Sequence, residues 1–95
     1  MYANEMIPGD VFHPAEILKD ELEARKIKQS DLATLSNFNK SFISLLLQGK
    51  RNITIPVAVE LEKVLGIKAE IWIRLQKQYE LNNELIELKN LRKSA

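Results

Sequence analysis

A run of basic and polar side chains between Ala24 and Asn52 could bind a polyanion such as nucleic acid. The whole chain has 14 basic and 13 acidic side chains, a net charge of +1. This window holds six basic side chains and one acidic one, a net +5, whereas the remainder holds 8 basic and 12 acidic ones, a net −4. The six are Arg25, Lys26, Lys28, Lys40, Lys50 and Arg51. Such a local polycation favours a partner that carries phosphate groups.

Residues suited to catalysis or metal binding are nearly absent. His13 is the sole histidine and there is no cysteine, so a nucleophile paired with an imidazole base could form only around His13. Because His13 precedes Pro14 at the start of a predicted helix, we expect it to have a capping or a partly exposed structural role. The carboxylates of Asp20, Glu21 and Glu23 point in several directions on a helix and should face solvent. We predict no catalytic residue, metal, cofactor or small-molecule substrate, and hence no enzyme.

Length and composition fit one small folded domain. The 95 residues are 45% hydrophobic and 28% charged, far from the composition of disordered chains. The longest apolar run, 55–59, is much shorter than the roughly 20 residues that span a bilayer. Residues 1–12 lack the basic start and apolar stretch of a signal peptide. We therefore expect a cytoplasmic protein that neither enters a membrane nor is exported.

The apolar spacing predicts an all-α fold. An irregular arm (1–12) should precede a five-helix domain (13–82) and a C-terminal helical extension (83–95). The predicted helices run from Pro14 to about Lys26, over 28–35, over 40–48, from a Thr54 cap to Gly66, and from about Ala69, with a final helix over 84–93. Gly49 and Gly66 should end the third and fourth helices in the left-handed conformation. The expected inward residues are Ala15, Leu18, Leu22, Leu32, Ala33, Leu35, Ile43, Leu46, Leu47, Val57, Ala58, Leu61, Val64, Leu65, Ile71, Trp72, Leu75 and Tyr79.

Two short helices joined by a tight polar turn, 29–49, lie inside the basic window. In a helix-turn-helix, the first helix crosses the DNA backbone and the second inserts its N-terminal half into the major groove. Gln29 and Ser30 would then open the crossing helix near phosphate. Asn39 and Lys40 begin the second helix. Spacing alone leaves open a second interpretation, a helical hairpin with a solvated basic face.

Four segments in fixed order resemble the HigA family of XRE-type helix-turn-helix antitoxins, also called plasmid-maintenance antidote proteins. They are HPAEILKDELEARKIKQSDLA, NKSFISLLLQGKRNIT, AVELEKVLGI and IWIRLQKQYEL, and the resemblance covers about 13–81. It implies a five-helix, lambda-repressor-like domain that is usually dimeric and binds double-stranded operator DNA. It further implies repression of the protein's own operon and neutralisation of a HigB-type toxin, a ribonuclease that cuts messenger RNA on the ribosome.

The resemblance carries a set of DNA-contact positions onto this sequence. They are Gln29, Ser30, Asn39, Lys40, Ser41, Ser44, Lys50 and Arg51. At three positions this chain has residue types that differ from the family pattern. They are Phe42 and Leu45 on the second helix of the helix-turn-helix, which reads the DNA, and Lys68 at a predicted helix cap. We expect Leu45 to be exposed, where it would touch thymine methyl groups or another protein. Phe42 lies near the boundary of the core.

A single module that reads one half-site gains affinity by pairing, so we expect a homodimer. Ile73, Leu85 and Leu88 are the candidate dimer residues. Two rivals remain open: a solitary XRE-type regulator with no toxin, and an interaction module that has lost DNA binding, suggested by Phe42 and Leu45. The N-terminal arm is a candidate surface for the toxin.

Overall fold

This computed structural model describes residues 13–94, which form five α-helices and the short segments that connect them. In chain order they are α1 (Pro14–Ala24), α2 (Gln29–Leu35), α3 (Lys40–Leu47), α4 (Ile55–Leu65) and α5 (Ala69–Ser94). Within these residues there is no strand, and the predicted five-helix, all-α fold is confirmed. The expected arm, 1–12, lies outside the described residues.

The first helix begins at a histidine cap, as the sequence predicts. The Nδ1 atom of His13 accepts the backbone N–H of Ala15 at 2.9 Å, so this nitrogen carries no proton. Pro14 follows at the first helical position, where a missing N–H costs nothing. Burial lowers the pKa of His13 below its usual 6.5, and the nearby Glu16 carboxylate opposes that shift. A neutral imidazole therefore forms the cap.

Residues in the left-handed conformation end three helices. Gly49 and Gly66, both with φ of 76°, follow α3 and α4 as predicted. Beyond Gly49, the N–H of Lys50 donates to the carbonyl of Leu45 at 2.9 Å, which turns the chain sharply out of α3. The third position is Lys26, with φ of 57°. Because it is not a glycine, the sequence gives no sign of this turn.

The hydrophobic core includes Trp72 and lies where α1 and α4 pack against α5 and α3 packs against α1 and α2. The other large side chains that are fully buried are Leu18, Leu32, Ile43, Leu46, Leu61 and Pro14. Most expected inward residues are buried or packed against this cluster. The apolar stripes of the helices thus meet in one core, as their spacing predicts.

Two inward predictions are wrong, because Leu35 is 56% exposed and Ile71 is 44% exposed. Leu35 is the last residue of α2, and the backbone becomes extended at the next residue, so no following helical turn covers it. Ile71 lies roughly 70° from the centre of the face that Trp72, Leu75 and Tyr79 define. Its side chain therefore points towards solvent.

The fifth helix is continuous to Ser94, so the separate final helix predicted over 84–93 is wrong. Its 26 residues give a length of about 39 Å. The helix runs on through Asn82 and Asn83, since the segment 69–94 contains no proline or glycine and Gln78 Nε2 donates to Asn82 Oδ1 at 3.0 Å within the helix. Through Ser94, the predicted extension is the second half of α5.

Candidate DNA-binding surface

The turn between α2 and α3 is fixed by hydrogen bonds to both of its sides. Ser36 Oγ donates to the carbonyl of Leu32 at 2.6 Å and accepts the N–H of Phe38 at 3.2 Å. The N–H of Asn37 donates to the Glu60 carboxylate on α4 at 2.9 Å. The two helices are therefore held at one angle, as a helix-turn-helix requires.

The start of α3 presents polar side chains to solvent. Asn39 caps the helix through its Oδ1, which accepts the N–H of Phe42 at 2.7 Å. Its side-chain oxygen is thus engaged in the fold, and only its amide NH₂ is left for a ligand. Lys40 and Ser41 are exposed on the first turn. These groups can donate to phosphate oxygens or to acceptors on base edges.

Ser44 is half-buried one turn further along α3 and is tied to Gln48. The Nε2 of Gln48 donates to Ser44 Oγ at 2.9 Å. The serine oxygen accepts in this bond, so its O–H is not used by Gln48 and stays available as a donor. Ser44 can therefore serve as a hydrogen-bond donor to the acceptor atoms of the major groove, and the exposed Gln48 lies beside it.

The two apolar departures on α3 differ in their surroundings. Phe42 is half-buried, packs against the core and lies with its ring centroid 5.2 Å from that of Phe38. Leu45 is also half-buried, so the expectation that it is exposed holds only for part of the side chain. Phe42 is thus used by the fold, and Leu45 alone offers an apolar group to a ligand.

Basic side chains follow directly after α3. Lys50 and Arg51 are exposed in the segment that joins α3 to α4. The end of that segment is pinned to α5, where Gln76 Oε1 accepts the N–H of Ile53 at 2.9 Å. Gln76 itself is only 4% exposed. Lys50 and Arg51 therefore lie on a segment whose end is hydrogen-bonded to α5.

One cation of the basic window belongs to the fold instead. Arg25 donates through Nη1 to the carbonyl of Leu65 at 2.7 Å, at the end of α4. Its Nε pairs with the Glu21 carboxylate at 3.1 Å. The positive charge thus faces the negative end of the α4 dipole, and Arg25 is not a DNA-contact candidate.

The start of α2 is exposed at both predicted contact positions, Gln29 and Ser30. The preceding N–H of Lys28 donates to the Asp31 carboxylate at 2.9 Å. This carboxylate places a negative charge at the helix start. The side chains of Gln29 and Ser30 are neutral, and a contact with phosphate would use their amide and hydroxyl groups.

Comparison with known proteins identifies the fold that these helices build. The family model described as helix-turn-helix matches residues 18–72, which run from the middle of α1 to Trp72. The chain belongs to the helix-turn-helix family. The match contains all eight predicted DNA-contact positions and also Leu45, and the recognition of an XRE-type domain from sequence is confirmed.

Solved helix-turn-helix structures share the whole fold. An addiction module antidote protein of the HigA family from Coxiella burnetii is 31% identical with a TM-score of 0.78, covering 90% of this chain and 95% of that one. PA4674 from Pseudomonas aeruginosa, in complex with its operator DNA, is 28% identical with a TM-score of 0.74, covering 79% and 82%. An uncharacterized HTH-type transcriptional regulator of Haemophilus influenzae is 36% identical over 67 residues. This match covers 70% of this chain and 63% of the relative, so the chain spans less than two thirds of that protein.

The described residues of this helix-turn-helix protein contain neither a metal-binding cluster nor a membrane-spanning helix. Residues 13–94 contain no group of three or more histidine and carboxylate side chains placed to hold a metal ion. Among the helices described, none combines the length and apolar character that a membrane crossing requires.

Sequence reasoning missed three polar residues that shape this surface. They are Gln48, Glu60 and Gln76. Gln48 could have been found, because it follows Ser44 at the i, i+4 spacing of a helix. Glu60 and Gln76 each bond to a backbone N–H 23 residues away, and no local pattern reports such a pair.

The three predicted dimer residues lie along α5 but differ in exposure. Ile73 is half-buried and packs against the core, whereas Leu88 is 53% exposed. Leu85 is half-buried on the second half of the helix. Leu81 and Leu91, at 49% and 60% exposed, extend the apolar stripe. The exposed stripe therefore lies mainly beyond the part of α5 that covers the core.

Proposed function

We propose that this chain is a homodimeric, cytoplasmic antitoxin that represses its own operon and neutralises a HigB-type, mRNA-cleaving toxin. The proposal of DNA binding rests on a row of polar and basic side chains along α3 and just beyond its end. Lys40 and Ser41 are exposed at the helix start, Ser44 offers a free donor, and Lys50 and Arg51 follow the helix end. This is the order of groups that reads base edges and then holds the backbone.

In this proposal, α3 enters the major groove with Ser41 and Ser44 towards the bases. A serine hydroxyl is short, so it reaches a base edge only when the helix lies deep in the groove. Lys40 binds phosphate from the first turn. Leu45, on the side away from the core, contacts a thymine methyl group.

The backbone contacts come from cations that the fold leaves unused. Lys40, Lys50 and Arg51 give three per subunit and six per dimer. Neutralising six phosphates predicts a slope of about −5 for the logarithm of affinity against the logarithm of salt concentration. Gln29 and Ser30 add neutral contacts from α2.

The dimer we propose pairs two copies through the second half of α5. Leu85 and Leu88 line a groove there with Lys89 and Arg92. Three carboxylates precede these cations along the helix, Glu80, Glu84 and Glu87. An antiparallel mate would place its basic end against this acidic stretch, so both the apolar stripe and the charges favour a two-fold pair.

Toxin neutralisation is supported by similarity to the HigA-family antidote from Coxiella burnetii. The experiment is to express the small reading frame that abuts this gene, with and without this chain, and to measure growth. Growth arrest that this chain relieves supports the antitoxin. Without a neighbouring toxin, the protein is a solitary XRE-type regulator.

DNA binding is tested on a duplex from the region upstream of the gene. We expect protection of an inverted repeat whose half-site centres lie about 34–36 Å apart, because that spacing places both α3 helices on one side of the duplex. Absence of binding at low salt would leave the interaction module as the better interpretation.

A further inference from the structure

Gln76 is the one buried polar side chain among residues 13–92, with 4% of its surface exposed. Its Oε1 accepts the N–H of Ile53 at 2.9 Å. Its Nε2 donates to Asn52 Oδ1 at 3.3 Å and to Glu80 Oε2 at 2.9 Å. A buried amide that satisfies all these partners fixes the backbone it holds, because breaking one bond leaves a buried polar group unpaired.

The other end of the same segment is also held against α5. A methyl group at Gly49 would lie 3.5 Å from His13 Cγ, so the imidazole packs closely on this glycine. The His13 ring in turn contacts Tyr79, with ring centroids 4.6 Å apart and planes at 62°. Tyr79 is three residues from Gln76 on α5. One turn of α5 therefore holds the segment 49–53 at both ends.

Lys50 and Arg51 lie between these two anchors and are exposed. A cation on an ordered backbone binds phosphate without losing backbone entropy at the moment of binding. The last turn of α3 holds the start of this segment, since the N–H of Lys50 donates to the carbonyl of Leu45 at 2.9 Å. Beyond Lys50 the hydrogen bonds that hold the segment come from Gln76 on α5, to Asn52 and to the N–H of Ile53.

We propose that Gln76 is a positioning residue for DNA binding, which holds the 49–53 segment so that Lys50 and Arg51 meet the phosphate backbone. This inference rests on the proposed DNA-binding function and assigns to α5 a part in it. Gln76 does not contact DNA in this proposal; it acts through the N–H of Ile53 and the side chain of Asn52.

The first test variant is Gln76→Leu in the full chain, which keeps the bulk of the side chain and removes every hydrogen bond. We expect operator and random duplexes to lose affinity by a similar factor, on the order of ten-fold. The salt slope should also fall by one or more, because backbone contacts are lost. The amide of Ile53 should exchange with solvent faster, while amides of α1 keep their protection.

A reciprocal exchange separates positioning from packing. Gln76→Glu keeps the acceptor for Ile53 but sets two carboxylates side by side, so it should weaken DNA binding. The double variant Gln76→Glu with Glu80→Gln restores one donor and one acceptor at these positions and should recover binding. Recovery by the exchanged pair cannot be explained by side-chain volume, because both variants have nearly the same volume.

Leu65→Ala serves as the matched control. Leu65 is buried at the end of α4, about 15 Å along the helix from its start, so this variant lowers stability without touching the 49–53 segment. All proteins are compared well below their melting temperatures, as verified by circular dichroism. Leu65→Ala should keep the wild-type DNA affinity and salt slope.

The outcomes distinguish this inference from the proposed function. If the wild-type chain binds no DNA, the proposed function fails and the inference with it. If the wild-type chain binds but the Gln76 variants keep its affinity and salt slope, only the inference is overturned. An equal loss in Leu65→Ala, or no recovery in the exchanged pair, also overturns it.

Discussion

Replacing Ser44 with alanine should weaken binding to the operator and leave binding to random DNA unchanged. In the free protein, Ser44 Oγ accepts a hydrogen bond from Gln48 Nε2 at 2.9 Å, so its own proton is available to a base. A base-edge acceptor that loses its donor costs about 1 kcal/mol. Two copies in a dimer give about 2 kcal/mol, which is roughly a 30-fold loss of affinity.

The assay is fluorescence anisotropy with labelled operator and scrambled duplexes at one salt concentration. Lys50→Ala is the contrasting control, because Lys50 is exposed beyond the end of α3 and contacts phosphate in this account. It should weaken both duplexes alike and reduce the salt slope by about one for each subunit. Gln48→Ala should cause a smaller loss than Ser44→Ala, because it frees the serine without removing its hydroxyl.

The reasoning is refuted if Ser44→Ala weakens operator and scrambled DNA equally, or weakens neither. Equal loss would show that α3 does not read sequence through this face. No loss would place Ser44 away from the bases, and its bond to Gln48 would then be purely structural.

Three further predictions follow from the fold. Burial lowers the pKa of His13, so as the pH falls His13 takes up a proton in the unfolded chain before it does so in the folded one. The free energy of unfolding should therefore fall as the pH drops below about 6.5. This range lies above that in which most carboxylates titrate. His13→Asn, which keeps a capping oxygen, should remove this part of the pH dependence in urea unfolding; an unchanged profile would contradict the assignment. Lys26→Gly should raise the free energy of unfolding by about 0.5–1 kcal/mol, because glycine adopts the positive φ of 57° at this position without strain. Lys28→Gly is the control: φ is −80° there, so this variant should lower the free energy of unfolding. If both variants lower it, Lys26 is not strained. Leu88→Glu should weaken the dimer in sedimentation, while Leu35→Glu, at an equally exposed leucine on α2, should not; an unaffected Leu88 variant removes this stripe from the interface.

Local patterns predicted the parts of the fold that local physics decides. His13 with Pro14 marked the start of α1, and Gly49 and Gly66 marked two helix ends. The apolar stripe of α4 placed Val57, Ala58 and Leu61 in the core. In each case the residue type and its neighbours within one or two turns were enough.

Features that depend on distant contacts were not predictable in this way. In the sequence Gln76 is one of several polar residues on an amphipathic helix, whereas in the fold it is buried and accepts the N–H of Ile53. Arg25 is one of the six basic residues of the window in the sequence, but in the fold its guanidinium is bound to the carbonyl of Leu65. The apolar spacing over 84–93 predicted a separate final helix, whereas α5 continues through Asn82 and Asn83 with the side-chain bond from Gln78 to Asn82.

The candidate DNA-binding surface also has some features that local patterns predict and others that they do not. Residue types placed Lys40, Ser41, Lys50 and Arg51 correctly on the exposed surface. The side-chain bond from Gln48 and the burial of half of Leu45 emerged only from the folded chain. Exposure thus follows from helical spacing, whereas the direction in which a hydroxyl donates does not.

The central claim is tested most directly by measuring affinity for the upstream duplex and for a scrambled duplex across a range of salt concentrations. The account predicts tighter binding to the upstream duplex at every concentration and a slope of about −5 for a dimer that neutralises six phosphates. Equal affinity for the two duplexes, or no binding to either at low salt, would contradict it.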